Sequence, residues 1–291
     1  MTHIVRCAID GAVGAGVLAG GHVRPLPLPL AELLRLPLAE LRALTERAAG
    51  APPVAGAEQL APVEGRMEVW AAGVTYQSSW LARMTESESS ADVYDRVYGA
   101  ERPELFFKSA AWRVVGDGGT AAVRADSAID VPEPELALVL NAHGETVGYT
   151  VCDDVSSRTI EGENPLYLPQ AKAYLGSCVV GPAIRPSWEV TDPYELPIRM
   201  AVHRGGSVVW AGEASTSRLH RRLDDLVEHL FRADVFPDGV VLSTGTCLVP
   251  DLPFSLADGD TVEIGIGEVG TLTHTVVRGL ERAIASRPAL T

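Results

Sequence analysis

Apolar and polar positions along the chain predict strands more often than helices. HIVRCAI at residues 3–9, followed by a Gly-rich turn, has the pattern of a short strand pair. LPLAEL then occurs twice, at 28–33 and 36–41, each copy setting a proline ahead of a helix-favouring run. Proline is tolerated in the first turn of a helix and disrupts its interior, so the repeat predicts two helical pieces, the second running to about Ala49 before Gly50. APPVAGAEQLAPVEG at 51–65 is rich in Pro, Ala and Gly and has linker composition. It sets a boundary near residue 65 between a small N-terminal α/β module, 1–65, and a main domain, 66–291. MEVWAAGVTY (67–76) and PELFFK (103–108) read as buried strands, separated by a helix with acids and serines and then a loop. ELPIRMAVHRGGSVVWAGE (195–213) predicts a hairpin around Arg204 to Gly206. SRLHRRLDDLVEHLFRA (217–233) has helical spacing, with Leu219, Leu223, Leu226, Val227 and Leu230 as its buried stripe. The closing GVVLSTGTCLVP and DTVEIGIGEVGTLTHTVV read as strands joined by a loop.

The chemistry concentrates between Pro132 and Lys172. PEPELALVL (132–140) becomes strongly apolar after its acids, turns at NAHG (141–144) and returns as ETVGYTVCDDVSSR, so a hairpin is the simplest reading. Glu133 and Glu135 lie two residues apart and share one strand face, roughly 6 to 7 Å from each other. With a pivot near residues 142 and 143, Glu133 faces about Cys152, and Asp154 lies about two residues beyond. Carboxylates gathered at a buried hairpin end repel one another unless a divalent cation sits among them. All-oxygen ligands favour Mg²⁺, with Mn²⁺ or Ca²⁺ able to take its place. An ExE pair alone is usually an exposed strand face. Here the apolar run after it and the acids at the return point favour the metal.

Composition narrows the remaining choices. A chain of 291 residues with 46% hydrophobic content can bury a full core. Its formal charge of −14 argues against nucleic acid and anionic membrane as partners, and an anionic substrate would need local positive charge. Cys7, Cys152, Cys178 and Cys247 are scattered without a CxxC, so neither a disulfide framework nor a zinc site is expected, and a reduced cytoplasm fits best. No apolar run reaches the length of a membrane span.

PEPELA, GYTVCDDVSSR, AKAYLGSCVVGP and a later STGT resemble the fumarylacetoacetate hydrolase superfamily over roughly residues 66–280. The resemblance implies an α+β fold, a mixed β-roll core with flanking helices, and a metal held by Glu133, Glu135 and Asp154. Hydrolases of this family carry a Tyr, two variable residues, a His, and a Glu three positions on. Here Tyr76 is followed by Ser79 and Ala82 at those positions, and neither side chain has basicity near neutral pH, so the water-activating pair is missing.

YDRVYGAERPELFFK and SSRTIEGENPLYLPQAK narrow the resemblance to the 2-keto-3-deoxy-D-arabinonate dehydratases, a branch of the same superfamily. That branch implies Mg²⁺-dependent dehydration of a small anionic 2-keto sugar acid to 2,5-dioxopentanoate in pentose oxidation, in a homodimer or homotetramer. It also implies that Glu104 and Lys172 carry out proton transfer and orientation; Lys172 is the first candidate for the base at C3 and Glu104 for the acid at C4, and the two roles are open to exchange. Arg83, Lys108, Ser156, Arg158 and Thr246 are the candidate substrate contacts. Asp153 stands where the branch more often has Asn, adding negative charge near the metal, and Thr159 where it commonly has Asp. Glu161, Glu163 and Asn164 read as a lid or an oligomer contact. The competing functions are acylpyruvate C–C hydrolysis or oxaloacetate decarboxylation on this scaffold, and non-catalytic binding of metal and keto acid.

Overall fold

The structure, a computed structural model, describes residues 1–78 and 91–287. The chain opens with β1 (Thr2–Ile9), β2 (Ala12–Ala19) and β3 (His22–Pro25), then α1 (Leu30–Leu33), α2 (Leu38–Ala49), β4 (Glu58–Leu60) and β5 (Glu68–Gly73). Next come α3 (Ala91–Gly99), β6 (Glu104–Ala110), β7 (Thr120–Val123), β8 (Asp130–Val131), β9 (Pro134–Leu140), β10 (Thr146–Asp154) and β11 (Ser156–Ser157). They are followed by α4 (Arg158–Glu163), α5 (Leu168–Lys172), β12 (Cys178–Pro186), β13 (Pro197–Arg204) and β14 (Ser207–Ser215). The chain closes with α6 (Leu223–Phe231), β15 (Val240–Ser243), β16 (Thr261–Ile266), β17 (Gly270–Arg278) and α7 (Leu280–Ala285).

A ten-stranded sheet has the order β3-β2-β1-β12-β10-β9-β15-β5-β6, with β4 beside β1. A five-stranded sheet, β14-β13-β16-β17-β7, packs against it, and β8 pairs with β11. This is the mixed α+β architecture that the resemblance implied. The apolar run of β9 has its cause here. Leu136, Leu138 and Leu140 face the second sheet, together with Ile198, Val262 and Leu272. Ala137 and Val139 face the opposite way, toward Leu30, Leu34 and Leu41 of the N-terminal helical segment. A strand covered on both faces reads as a continuous hydrophobic run instead of alternating.

Two expectations are corrected. In the hairpin, Glu135 lies opposite Cys152, which places Asp154 beside Glu133 instead of two residues past it. The shift arises in the turn: Asn141 Oδ1 accepts the amides of His143 and Glu145, Gly144 takes φ 75°, and a bulge follows between Thr146 and Gly148. The helix expected over 217–233 begins only at Leu223. Arg222 is extended, and Asp224 and Asp225 occupy the first turn, where carboxylates favour the positive end of the helix dipole. Leu219 instead lies in a bridge to Tyr76, so the helical stripe is Leu223, Leu226 and Leu230.

Candidate active site

The β9–β10 hairpin brings its acids together at one end. Asp154 N donates to Glu133 O at 3.0 Å, which fixes the two backbones side by side. Glu133, Glu135 and Asp154 are only 2%, 1% and 1% exposed, and one oxygen from each lies within 4.8 Å of the others. Glu135 Oε2 accepts from Ser243 Oγ at 2.6 Å and from Gly245 N at 2.8 Å, so the STGT turn after β15 seats this carboxylate. Gly245 has φ 92°, and a Cβ there would lie 1.9 Å from Thr75 Oγ1. Glycine is required on both counts. Burial pushes the Glu135 carboxyl up to about 8, reinforced by the charges of Asp154 and Glu133.

Cations answer this charge. Lys172 Nζ donates to Glu133 Oε2 at 2.7 Å, to Asp154 Oδ2 at 3.1 Å and to Ser156 Oγ. Arg158 Nη2 lies 2.9 Å from Glu133 Oε1, and its Nη1 lies 3.6 Å from Glu161 Oε2. Lys108 Nζ pairs with Asp154 Oδ1 and donates to Val155 O at 3.0 Å and Lys172 O at 2.6 Å. Lys172 is the last residue of α5, so Lys108 satisfies a terminal helix carbonyl while gripping Asp154. Ser157 caps α4 by accepting from Ile160 N at 3.2 Å, which sets Arg158 in the first turn.

A small cleft opens over the triad, with Lys172, Glu104, Phe106, Leu168 and Thr246 in its wall. Glu104 heads β6 opposite Gly73 of β5. A Cβ on Gly73 would come within 2.0 Å of Glu104 Oε2, so this glycine leaves the space that the carboxylate fills. Val74, next along, holds φ 53°, a strained conformation for a β-branched residue at the cleft wall. A wider groove of about 710 Å³ runs over β13, β14 and β16, away from these acids, and it has no comparable cluster. The donor set of the triad is three buried carboxylates, which suits a hard cation such as Mg²⁺, Mn²⁺ or Ca²⁺.

The structure thus gathers Glu133, Glu135, Asp154, Lys172, Glu104 and Thr246 around one cleft. Ser156, Arg158 and Lys108 stand behind it, buried and bound to the triad or to Lys172. Arg83, Ser79 and Ala82 lie outside the described residues. Asp153 does not face the triad: its carboxylate turns to His274 Nε2 at 2.7 Å. The reason is strand alternation, which sends neighbours to opposite faces. Sequence reasoning missed Ser243 and the burial of Glu161. The signal for Ser243 lay two residues ahead of Gly245 in a run that is otherwise fully apolar.

Comparison with known proteins identifies the family. The family model described as "Fumarylacetoacetate (FAA) hydrolase C-terminal" matches residues 68–277. The chain is 51% identical over 215 residues to a Haloferax volcanii protein named "Probable 2-keto-3-deoxyxylonate dehydratase", covering 74% of this chain and 73% of that one. It is 44% identical over 215 residues to the 2-dehydro-3-deoxy-D-arabinonate dehydratase of Saccharolobus solfataricus, covering 72% and 71%. A solved 2-keto-3-deoxy-D-arabinonate dehydratase complexed with magnesium and 2,5-dioxopentanoate superposes with a TM-score of 0.81 at 34% identity, covering 96% of this chain and 99% of that one. The chain belongs to the fumarylacetoacetate hydrolase family.

Proposed function

We propose that the protein is a Mg²⁺-dependent hydro-lyase that converts 2-keto-3-deoxy-D-arabinonate to 2,5-dioxopentanoate. The observation that carries this reading is the buried triad of Glu133, Glu135 and Asp154, interlocked with Lys172 and facing Glu104 across one cleft. The two substrate names among the relatives are chemically compatible. Converting C2 to a ketone and C3 to a methylene leaves C4 as the single stereocentre, so the keto acids from D-arabinonate and D-xylonate are the same molecule.

A bound Mg²⁺ supplies electrostatic stabilisation of negative charge on the carboxylate and keto oxygens of such an acid. The protein's own groups handle the protons. The Lys172 ammonium donates to two carboxylates and a hydroxyl, the arrangement of a proton donor. Glu104, across the cleft over Gly73, is assigned as the acceptor of the C3 proton. This reverses the order expected from sequence. The C3–H bond breaks toward Glu104, and the C4–O bond breaks as the hydroxyl takes a proton from Lys172 and leaves as water. Loss of a C5 proton with protonation at C3 then moves the double bond to C4–C5 as an enol, and protonation at C4 with loss of the enol O–H proton yields the aldehyde. Thr246, in the cleft wall, is the candidate contact for the substrate carboxylate. Arg83 stays a candidate by its position in the sequence.

The test is a direct substrate comparison with purified protein and Mg²⁺. Turnover of 2-keto-3-deoxypentonate without cleavage of acylpyruvates is expected, and the opposite ranking would overturn the reading. Removing the C3 base stops solvent deuterium exchange at C3, so Glu104→Gln should abolish it and Lys172→Met should not. Wild-type exchange in Glu104→Gln overturns the assignment. The same reading carries a cytoplasmic homodimer or homotetramer, checked by light scattering. Among the described residues no helix is long and apolar enough to cross a membrane, and the four cysteines are buried and free.

A further inference from the structure

The face of β10 turned away from the triad carries a second polar pair. Asp153 and His274 are 0% and 1% exposed, and they sit where β10 packs on β17. Their neighbours along the two strands, Val151, Leu272 and Val276, belong to the apolar core between the sheets. A carboxylate and an imidazole in such surroundings cost stability unless each is hydrogen-bonded, so their arrangement needs a reason. Both oxygens of Asp153 are used. Oδ2 meets His274 Nε2 at 2.7 Å, and Oδ1 accepts from the backbone amide of Glu133 at 2.8 Å.

The second contact reaches the triad. Asp153 lies opposite Pro134, which has no amide proton to give to the ladder. The amide of Glu133 is therefore the donor nearest the start of β9, and the Asp153 side chain holds it. Glu133 is then fixed from both sides of its backbone, its N–H by Asp153 and its C=O by Asp154 N at 3.0 Å. His274 orients Asp153 from the other sheet, across 121 residues of sequence.

We propose that Asp153 and His274 are a positioning pair that sets Glu133 for metal binding from the opposite face of the hairpin. The inference rests on the reading of the triad as a metal site. Neither residue touches the cleft, and both act through the Glu133 backbone. Hydrogen-bond partners of this kind behind a metal ligand typically change affinity 10- to 100-fold when removed.

The experiment measures Mg²⁺ affinity of the metal-stripped full chain by calorimetry, alongside its melting temperature. Asp153→Leu and His274→Leu are each expected to weaken Mg²⁺ binding about tenfold or more. Asp153→Asn keeps an oxygen for the Glu133 amide, and its NH₂ can donate to the other tautomer of His274, so it should stay within about threefold of the wild type. A merely structural pair would give a different result: Asp153→Leu and His274→Leu would melt earlier yet bind Mg²⁺ as the wild type does. That outcome overturns the proposal. Should Asp153→Leu fail to fold, His274→Leu against His274→Gln decides, since Gln retains a donor for Asp153 and should recover affinity. A wild-type chain that binds no Mg²⁺ would instead overturn the metal reading itself.

Discussion

Lys172 is expected to act in opposite directions on metal binding and on turnover. Its ammonium lies against Glu133 and Asp154, two of the groups that would hold the cation, and a positive charge there repels a second one. Lys172→Met should abolish dehydration while tightening Mg²⁺ binding, on the order of tenfold or more at pH 8. Glu133→Gln, Glu135→Gln and Asp154→Asn should each weaken Mg²⁺ binding, on the order of a hundredfold, because each removes an anionic ligand. Calorimetry on the four variants checks both signs. Weaker binding in Lys172→Met would show that the ammonium assembles the triad instead of opposing the cation. At this scale the sequence was legible where the groups are local: Glu133, Glu135 and Asp154 lie on one hairpin, and the two Glu residues share a strand face. It was silent on the His274 contact with Asp153, which exists only because two sheets stack. The sole sequence trace of that contact is a histidine at an inward position of β17, between Leu272 and Val276.

Among the elements, the parallel pair β5 and β15 lacks a hairpin to align it, and Asp238 does that work. It is 3% exposed and accepts from Arg66 Nε, Nη2 and the Arg66 amide, and from Arg35 Nε and Nη2. Arg66 precedes Glu68 by as many residues as Asp238 precedes Val240, and those two strand residues are partners. The Arg66 hydrogen bonds hold the Asp238 carboxyl well below its usual range, helped by Arg35. A carboxyl lowered on folding stabilises the protein above its unfolded value of 3.8, and this contribution is lost as pH falls through the folded value. Asp238→Asn should therefore cost about 2 kcal/mol near pH 7, with the gap to wild type closing below about pH 4. Denaturant melts at both pH values test it, and a gap that stays constant would exclude the ionic cause. The two short N-terminal helices were readable because proline punctuates them. The start of α6 was not, because Leu219 fits the helical period yet pairs with Tyr76 in a bridge.

At the scale of the whole molecule, the triad sits on a hairpin whose first strand, β9, is covered along its whole length. Every residue of β9 is buried, with the second sheet on one side and α1 and α2 on the other. The opposite wall of the cleft is different in kind: α5 contributes Lys172, but the segment leading to it exposes Leu166 at 83% and Tyr167 at 41%. Native-state hydrogen exchange should separate the two. Amides of Leu136 to Leu140 should exchange only through global unfolding, while those of Leu166 and Tyr167 should open at a small fraction of that free energy. Equal protection of both would contradict this division. Because β9 is enclosed in this way, heritable change has unequal access to the two halves of the centre. The acids can move only if the whole fold moves, whereas the exposed turn before Lys172 can differ between branches of the family without disturbing the core.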